Sequence, residues 1–267
     1  MIADARELLR CHPAGMSSKK LSVRLLKTKS MPKQLADTLI SQFLGNRPEF
    51  LFENNRWKLI DNDPVDLNDV PFVVVDVETT GGFAGINRII EIAAFRITGS
   101  KITAGTTSLV NPKCPIPPFI SSLTGIRDEH VAEAPFMEEV LPGFFDFLGD
   151  SVFVGHSARF DYRFINEEAK LCGMPLMGNE IVCTVKLARR AFPGERSYGL
   201  DRMIERFSID IDPKERHRGH GDAWATAKLL LLCLDKLRNA GIGTLGDLMV
   251  FNSMPPKQTA SKYNIIT

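Results

Sequence analysis

No cysteine pair at CxxC spacing, no long uncharged apolar run, no internal repeat and almost no net charge mark this 267-residue sequence. Its five cysteines, Cys11, Cys114, Cys172, Cys183 and Cys233, are odd in number, and His12 beside Cys11 has no partner pair at zinc spacing. They read as reduced thiols, which excludes a disulfide scaffold and a zinc site. No stretch reaches the roughly 18 apolar residues a membrane span needs. MIADARELLR puts charges where a signal peptide would have its apolar region. The expectation is a cytoplasmic protein with no membrane partner. GGFAG lacks G-x-G-x-x-G spacing and no helix follows it, so a dinucleotide-binding loop is excluded as well.

The net charge of +1 hides an uneven distribution. Lys19, Lys20, Arg24, Lys27, Lys29 and Lys33 follow one another with no acid between Glu7 and Asp37, a local preference for polyanions. Residues 1–63 differ in character from the rest. Helical segments are expected near 3–10, 18–28 and 32–44, and FLFENNRWKLI alternates around Asn54-Asn55 as a hairpin does. Three short helices and a hairpin resemble a winged helix, and a helical cap packed on the main domain stays open beside that reading. Residues 64–71, acidic and proline-bearing, are expected to be a linker.

PFVVVDVE then opens the main domain as a strand buried on both faces. RIIEIAAFRI and KITAGTTSLV, split by Thr98-Gly99-Ser100, continue it antiparallel. After the NPKCPIPPF loop come a helix around 135–148, the short strand SVFVG, and helices near 158–172, 184–192, 198–207 and 220–239. This order predicts an α/β domain over 72–240 with a mixed central sheet flanked by helices. A C-terminal helix (TLGDLMVF) and a polar tail complete 241–267.

Four acids and a histidine stand at the ends of these elements. In Asp76-Val77-Glu78 the period of two puts both carboxylates on one face of the strand. Paired acids at the end of a buried strand cost free energy unless a cation such as Mg²⁺ or Mn²⁺ neutralises them, although a lone DxE is more often a solvated turn. Asp161, in GHSARFD, falls near a helix N-terminus beside the next strand, where stabilising the helix dipole is its plainest role. His217 and Asp222 flank the start of the last long helix. A loop histidine with an ordinary pKa near 6.5 is able to take a proton from water at neutral pH, and His220 competes for that role on spacing alone.

Together DVETTGG, HSARFD and HRGHGD resemble the three exonuclease motifs of the DEDDh family, to which the epsilon subunit of bacterial DNA polymerase III belongs. The likeness extends over about 71–240, through RIIEIAAFRI, SLTGIRDEHV, CTVKLARRAFPGERSYGL and DAWATAKLLL. Ser157 stands where many members have Asn, and Asn87 precedes Arg88 where an acid is frequent. The resemblance implies a ribonuclease H-like fold and 3′–5′ hydrolysis to nucleoside 5′-monophosphates. It implies two divalent cations held by Asp76, Glu78, Asp161 and Asp222, with His217 as general base. By the same likeness Thr79, Thr80, Leu123, Thr124, Ile126, His156 and Phe160 line a terminal-nucleotide pocket. The expected substrate is a nucleic acid with a 3′ end, single-stranded DNA first, in proofreading or repair.

Two other readings stand beside it, an RNA-trimming exonuclease and a catalytically silent module docked on a DNA polymerase. The catalytic domain is not strongly basic, as suits an enzyme that holds only a few nucleotides of one strand. The basic segment is therefore expected to let residues 1–63 bind duplex DNA or a protein partner.

Overall fold

A run of β-branched side chains has little conformational freedom to lose in a strand, and FVVVDVET supplies one long enough to cross a core. In the computed structural model, which describes residues 1–267 except 13, 46, 48, 60–64, 257, 258 and 260–267, this run is the middle of a five-stranded sheet. Before it come α1 (Ile2–Arg10), α2 (Ser18–Leu25), α3 (Lys33–Leu44) and the hairpin β1 (Phe50–Glu53) and β2 (Arg56–Leu59). Asn54 and Asn55 both take left-handed backbone, at φ 50° and 61°, as a two-residue turn matched to strand twist requires. Leu9, Leu21, Ile40, Leu44, Phe50 and Trp57 give these elements their own small core. The indole of Trp57 donates to Ser18 Oγ at 3.2 Å.

The main domain follows as β3 (Phe72–Thr79), β4 (Ile89–Thr98), β5 (Lys101–Leu109), α4 (Pro118–Thr124), α5 (Asp128–Val131), α6 (Met137–Leu148) and β6 (Val152–Gly155). Then come α7 (Arg159–Leu171), β7 (Ile181–Cys183), α8 (Thr184–Ala191), α9 (Leu200–Phe207), α10 (Gly219–Asn239) and α11 (Leu245–Ser253). The strand order is β5-β4-β3-β6-β7, with β3, β4 and β5 antiparallel in turn and β6 and β7 parallel to β3. This is the mixed sheet expected. Phe72, Val74 and Phe95 face α10, while Val73, Val75 and Val77 face α6 and α7. Among the described residues no helix is long and apolar enough to cross a membrane.

Several elements differ from expectation. Strand β7 has three residues, too few for a period to show. Helices α4 and α5 stand where the sequence suggests only loop, and Gly125 ends α4 at φ 74°. The part of the expected linker that is described is no free tether. Leu67 and Val70 are buried in the catalytic core, and Leu67 N–H donates to Gly243 O at 2.9 Å. Two isolated apolar residues leave no periodic signal. Helix α11 likewise belongs to that core through Leu248, Met249 and Phe251, and most of the tail beyond it lies outside the described residues.

The N-terminal module meets the catalytic domain through charge. Arg10 places two guanidinium nitrogens 3.0 Å from the Glu180 carboxylate, and Arg6 bridges Glu49 and Glu180 at 2.8 and 3.4 Å. Glu7 accepts from Lys186 at 2.6 Å and from Arg159, which also reaches Asp4.

Candidate active site

Strand β3 delivers Asp76 opposite Ala93 and Glu78 opposite Glu91, with a bulge after Glu78 that ends the regular ladder. Helix α10 crosses the same face, and its first turn carries Asp222. One ligand oxygen each from Asp76, Glu78 and Asp222 lies within 4.8 Å of the others. Asp161, the third residue of α7 and only 4% exposed, approaches from the far side, its Oδ1 accepting from Val77 N–H at 3.2 Å. Any β-carbon on Gly155 would stand 2.9 Å from Asp161 Oδ2, so this glycine opens the space for that carboxylate.

Such a cluster resists ionisation. Burial, then the neighbouring Asp161, Glu78 and Glu91, push the Asp76 carboxyl well above its ordinary range. Burial, followed by Glu91 and Asp161, raises Glu78 to about 8. Burial raises Asp161 to about 7 against the opposing backbone hydrogen bonds. Hard carboxylate oxygens that converge and repel one another fit a divalent cation of the Mg²⁺ or Mn²⁺ kind.

Three supports around the cluster carry no motif of their own. Glu91 is buried on β4 and accepts from both Arg218 Nε and Nη2, at 3.2 and 2.8 Å, and from Gly219 N–H at 2.7 Å. This clamp fixes the start of α10 against the sheet. Arg216 reaches Asp222 and Asp201 at once, placing a positive charge beside the acids. Glu168 does for α7 what Glu91 does for α10, accepting from Arg88 at 2.9 and 2.8 Å and from Ile89 N–H at 3.1 Å. An acid inside an otherwise apolar run, as in RIIEIAAF, is the sequence signal that would have found Glu91.

The two histidines are disposed differently. His217 is exposed in the loop before α10, at φ 59°. His220 sits inside α10 with its ring edge-on to Phe95, 5.2 Å between centroids, and Nδ1 3.5 Å from Glu215.

The seven expected pocket residues divide. Leu123 and Phe160 present exposed apolar side chains. Thr79 and Thr80 are buried, the first donating to Gly81 O at 2.7 Å and the second accepting from Arg88 N–H at 2.9 Å, so their hydroxyls close the loop after β3. Thr124 donates to Ile120 O at 2.9 Å, and Ile126 is buried with Ile90, Ile116 and Val131. His156 shares a hydrogen with Thr184 Oγ1 at 2.9 Å, while its buried Nε2 has no hydrogen-bond partner among the described residues. Burial lowers the pKa of this imidazole to about 4, so it is neutral at pH 7. Ser157 takes left-handed backbone at φ 83°, and Asn87 Oδ1 accepts from Phe83 N–H at 2.9 Å.

This sheet and acidic cluster define a ribonuclease H-like exonuclease domain, and comparison with known proteins agrees. The Exonuclease (RNase_T) profile matches residues 73–230. The chain is 38% identical over 172 residues to the DNA polymerase III subunit epsilon of Aquifex aeolicus, covering 64% of this chain and 84% of that protein. It is 40% identical over 178 residues to a DNA polymerase III PolC-type of Caldanaerobacter subterraneus subsp. tengcongensis, 66% of this chain but 12% of that much longer protein. Exonuclease X, solved in complex with 5′ overhanging duplex DNA, aligns at 30% identity and TM-score 0.53 over 67% of this chain and 99% of its own. The nuclease domain of 3′hExo, a DEDDh family member bound to rAMP, shares the fold at 20% identity and TM-score 0.56, over 64% of this chain and 94% of its own. The chain belongs to the Exonuclease (RNase_T) family, among its DEDDh, DnaQ-like members. Residues 1–72 lie outside the family match.

Proposed function

We propose that the chain is a divalent-metal-dependent 3′–5′ exonuclease that shortens DNA and releases nucleoside 5′-monophosphates in proofreading or repair. The observation that carries this reading is the convergence of Asp76, Glu78 and Asp222 within 4.8 Å, with Asp161 against the same strand. Asp76, Glu78, Asp161 and Asp222 would hold two cations, which when bound supply activation of the attacking water and charge neutralisation at the leaving 3′ oxygen. His217 takes the proton from that water, because it stands in the loop before α10, whereas His220 lies within the helix with its ring against Phe95 and its Nδ1 near Glu215. Glu91 keeps the start of α10, and with it Asp222, in register with β3.

Phe160 and Leu123 offer apolar faces for the terminal nucleotide, and the unpartnered Nε2 of His156 a polar contact. Thr79, Thr80, Thr124 and Ile126 shape the pocket through the backbone they hold. Similarity to an epsilon subunit and a PolC-type polymerase supports a DNA polymerase as partner and the cytoplasm as the place of action. All five candidate catalytic positions are present, which speaks against a silent module.

The test is a 5′-labelled oligonucleotide, as DNA and as RNA of one sequence, incubated with Mg²⁺, Mn²⁺ or EDTA beside Asp222→Ala. A metal-dependent ladder shortening from the 3′ end, faster on DNA and absent in the variant, is expected. A ladder only on RNA would overturn the substrate, and no product with any metal would overturn the activity.

A further inference from the structure

Beside the acidic cluster, between the N-terminal module and the catalytic domain, runs a cleft of about 810 Å³. Its outer wall is the end of α2, with Arg24 and Lys27, and its floor is the start of α7, with Arg159 and Arg163. Gly82, in the loop after β3, and Phe160, next in the chain to Asp161 and a residue of the proposed nucleotide pocket, also line it. Two separately cored parts of the chain thus face each other with basic groups at the mouth of the site.

The balance of charge there favours an anion. Asp4 and Glu7 also line the cleft, but Arg159 and Lys186 already neutralise them, and Glu167 lies 3.7 Å from Lys170. Arg24, Lys27 and Arg163 are exposed and make no ion pair or hydrogen bond among the described residues. Three unspent cations beside an exposed aromatic ring are the elements of a single-strand groove, in which phosphates meet charge and bases meet a ring face. The ion pairs of Arg6 and Arg10 with Glu180, and of Glu7 with Lys186, dock the module beside the groove.

We propose that this cleft holds the sugar-phosphate backbone of the strand whose 3′ end enters the acidic cluster, so that the N-terminal module forms one wall of the substrate site. The proposal rests on the exonuclease reading for the direction of the strand, and its test separates the two.

Full-length protein is titrated in EDTA against labelled oligonucleotides of about 20 and about 4 nucleotides, as DNA and RNA, across a salt series. Arg24→Glu/Lys27→Glu/Arg163→Glu is expected to weaken the long oligonucleotide about 10-fold or more at low salt. It should also flatten the slope of log K against log salt by about 2, near 0.7 for each lost single-strand phosphate contact. The short oligonucleotide should bind as before. Glu167→Lys, which adds charge to the same wall, should tighten the long one, and it decides alone if the triple variant does not fold. Wild-type affinity and slope in the triple variant, no gain from Glu167→Lys, or no binding by the wild type overturns the cleft. A ladder together with unchanged affinity in the triple variant leaves the exonuclease and removes the groove. Weakened affinity with no wild-type ladder leaves the groove and removes the exonuclease. The DNA and RNA arms show which backbone it takes.

Discussion

The catalytic domain and the N-terminal module are held together by different physics. The first stacks two apolar layers on one sheet, with fully buried Phe72, Phe153 and Phe164 and with its buried carboxylates Glu91 and Glu168 each clamped by an arginine and a backbone amide. The second has a small core around Leu9, Leu21 and Trp57 and joins its neighbour through partly exposed ion pairs. Carboxylates proposed to converge on a cation need a scaffold that does not yield to salt. A wall that admits and releases a polyanion is served by contacts that salt loosens. The difference teaches that precision and adjustability have been allotted to separate cores.

The largest effects should fall on the rigid part. Asp222→Ala or Asp76→Ala is expected to remove cleavage altogether, and Asp76→Ala should leave the thermal midpoint in EDTA unchanged or raise it, since a self-repelling carboxylate is gone; wild-type ladders from either variant would sink the site. His217→Ala should slow turnover by about 10²- to 10⁴-fold with little change in binding. A greater loss from His220→Ala would transfer the role of base to that residue.

Next in size are core truncations, which set the two regions against each other. Phe153→Ala should cost about 3–5 kcal/mol and abolish both folding cooperativity and cleavage. Trp57→Ala, of similar cost, should expose amides of residues 1–59 to exchange and spare cleavage of short oligonucleotides. Loss of that cleavage too would show that the module is not separable.

Acidity offers a smaller, graded contrast. Glu78 and Asp161 have pKa values raised by folding, to about 8 and about 7, so the folded state holds protons that the unfolded chain releases. Their contribution falls as pH rises from the unfolded carboxylate range toward 8. His156, lowered to about 4, acts in the opposite sense, its contribution growing from pH 4 to about 6.5 and then constant. Between pH 6.5 and 8 only the acids act. The midpoint in EDTA should therefore drop over that interval and Mn²⁺ should restore it more at pH 8 than at pH 6.5, which a melting series in both media would check. The smallest effect belongs to the docking surface. Glu7→Gln should cost at most about 1 kcal/mol, vanish in high salt and appear as faster exchange in α1.

The parts legible in the sequence were those with a period or a turn rule. The strand FVVVDVET, the antiparallel pair around Gly99-Ser100, the Asn54-Asn55 turn and helix α10 show such local signals, and the antiparallel run of β3, β4 and β5 follows from them. The carboxylates of DVE were placed on one face by the strand period alone. Strand β7 and helix α4 were hidden because three residues carry no period and prolines read as loop. Leu67 and Val70 looked like linker because their burial depends on α11, nearly 180 residues away in the chain. Glu91 and Arg218 were missed as a pair for the same reason. Their partnership spans 127 residues, and although the acid inside RIIEIAAF marks Glu91 as unusual, nothing local names Arg218 as its partner.

Gly221 sets a further condition on how this protein can change. A β-carbon there would lie 2.0 Å from the carbonyl oxygen of Glu215, so the first turn of α10 and the segment that leads to His217 touch backbone to backbone. Neither can drift without the other. A descendant of this chain that acquires any side chain at 221 must reroute 213–217 in the same step, and the histidine travels with it while Asp222 stays on the helix. On the proposed roles of His217 and Asp222, that makes position 221 a lever for parting proton transfer from cation holding, and a poor place for sequence to wander unaided.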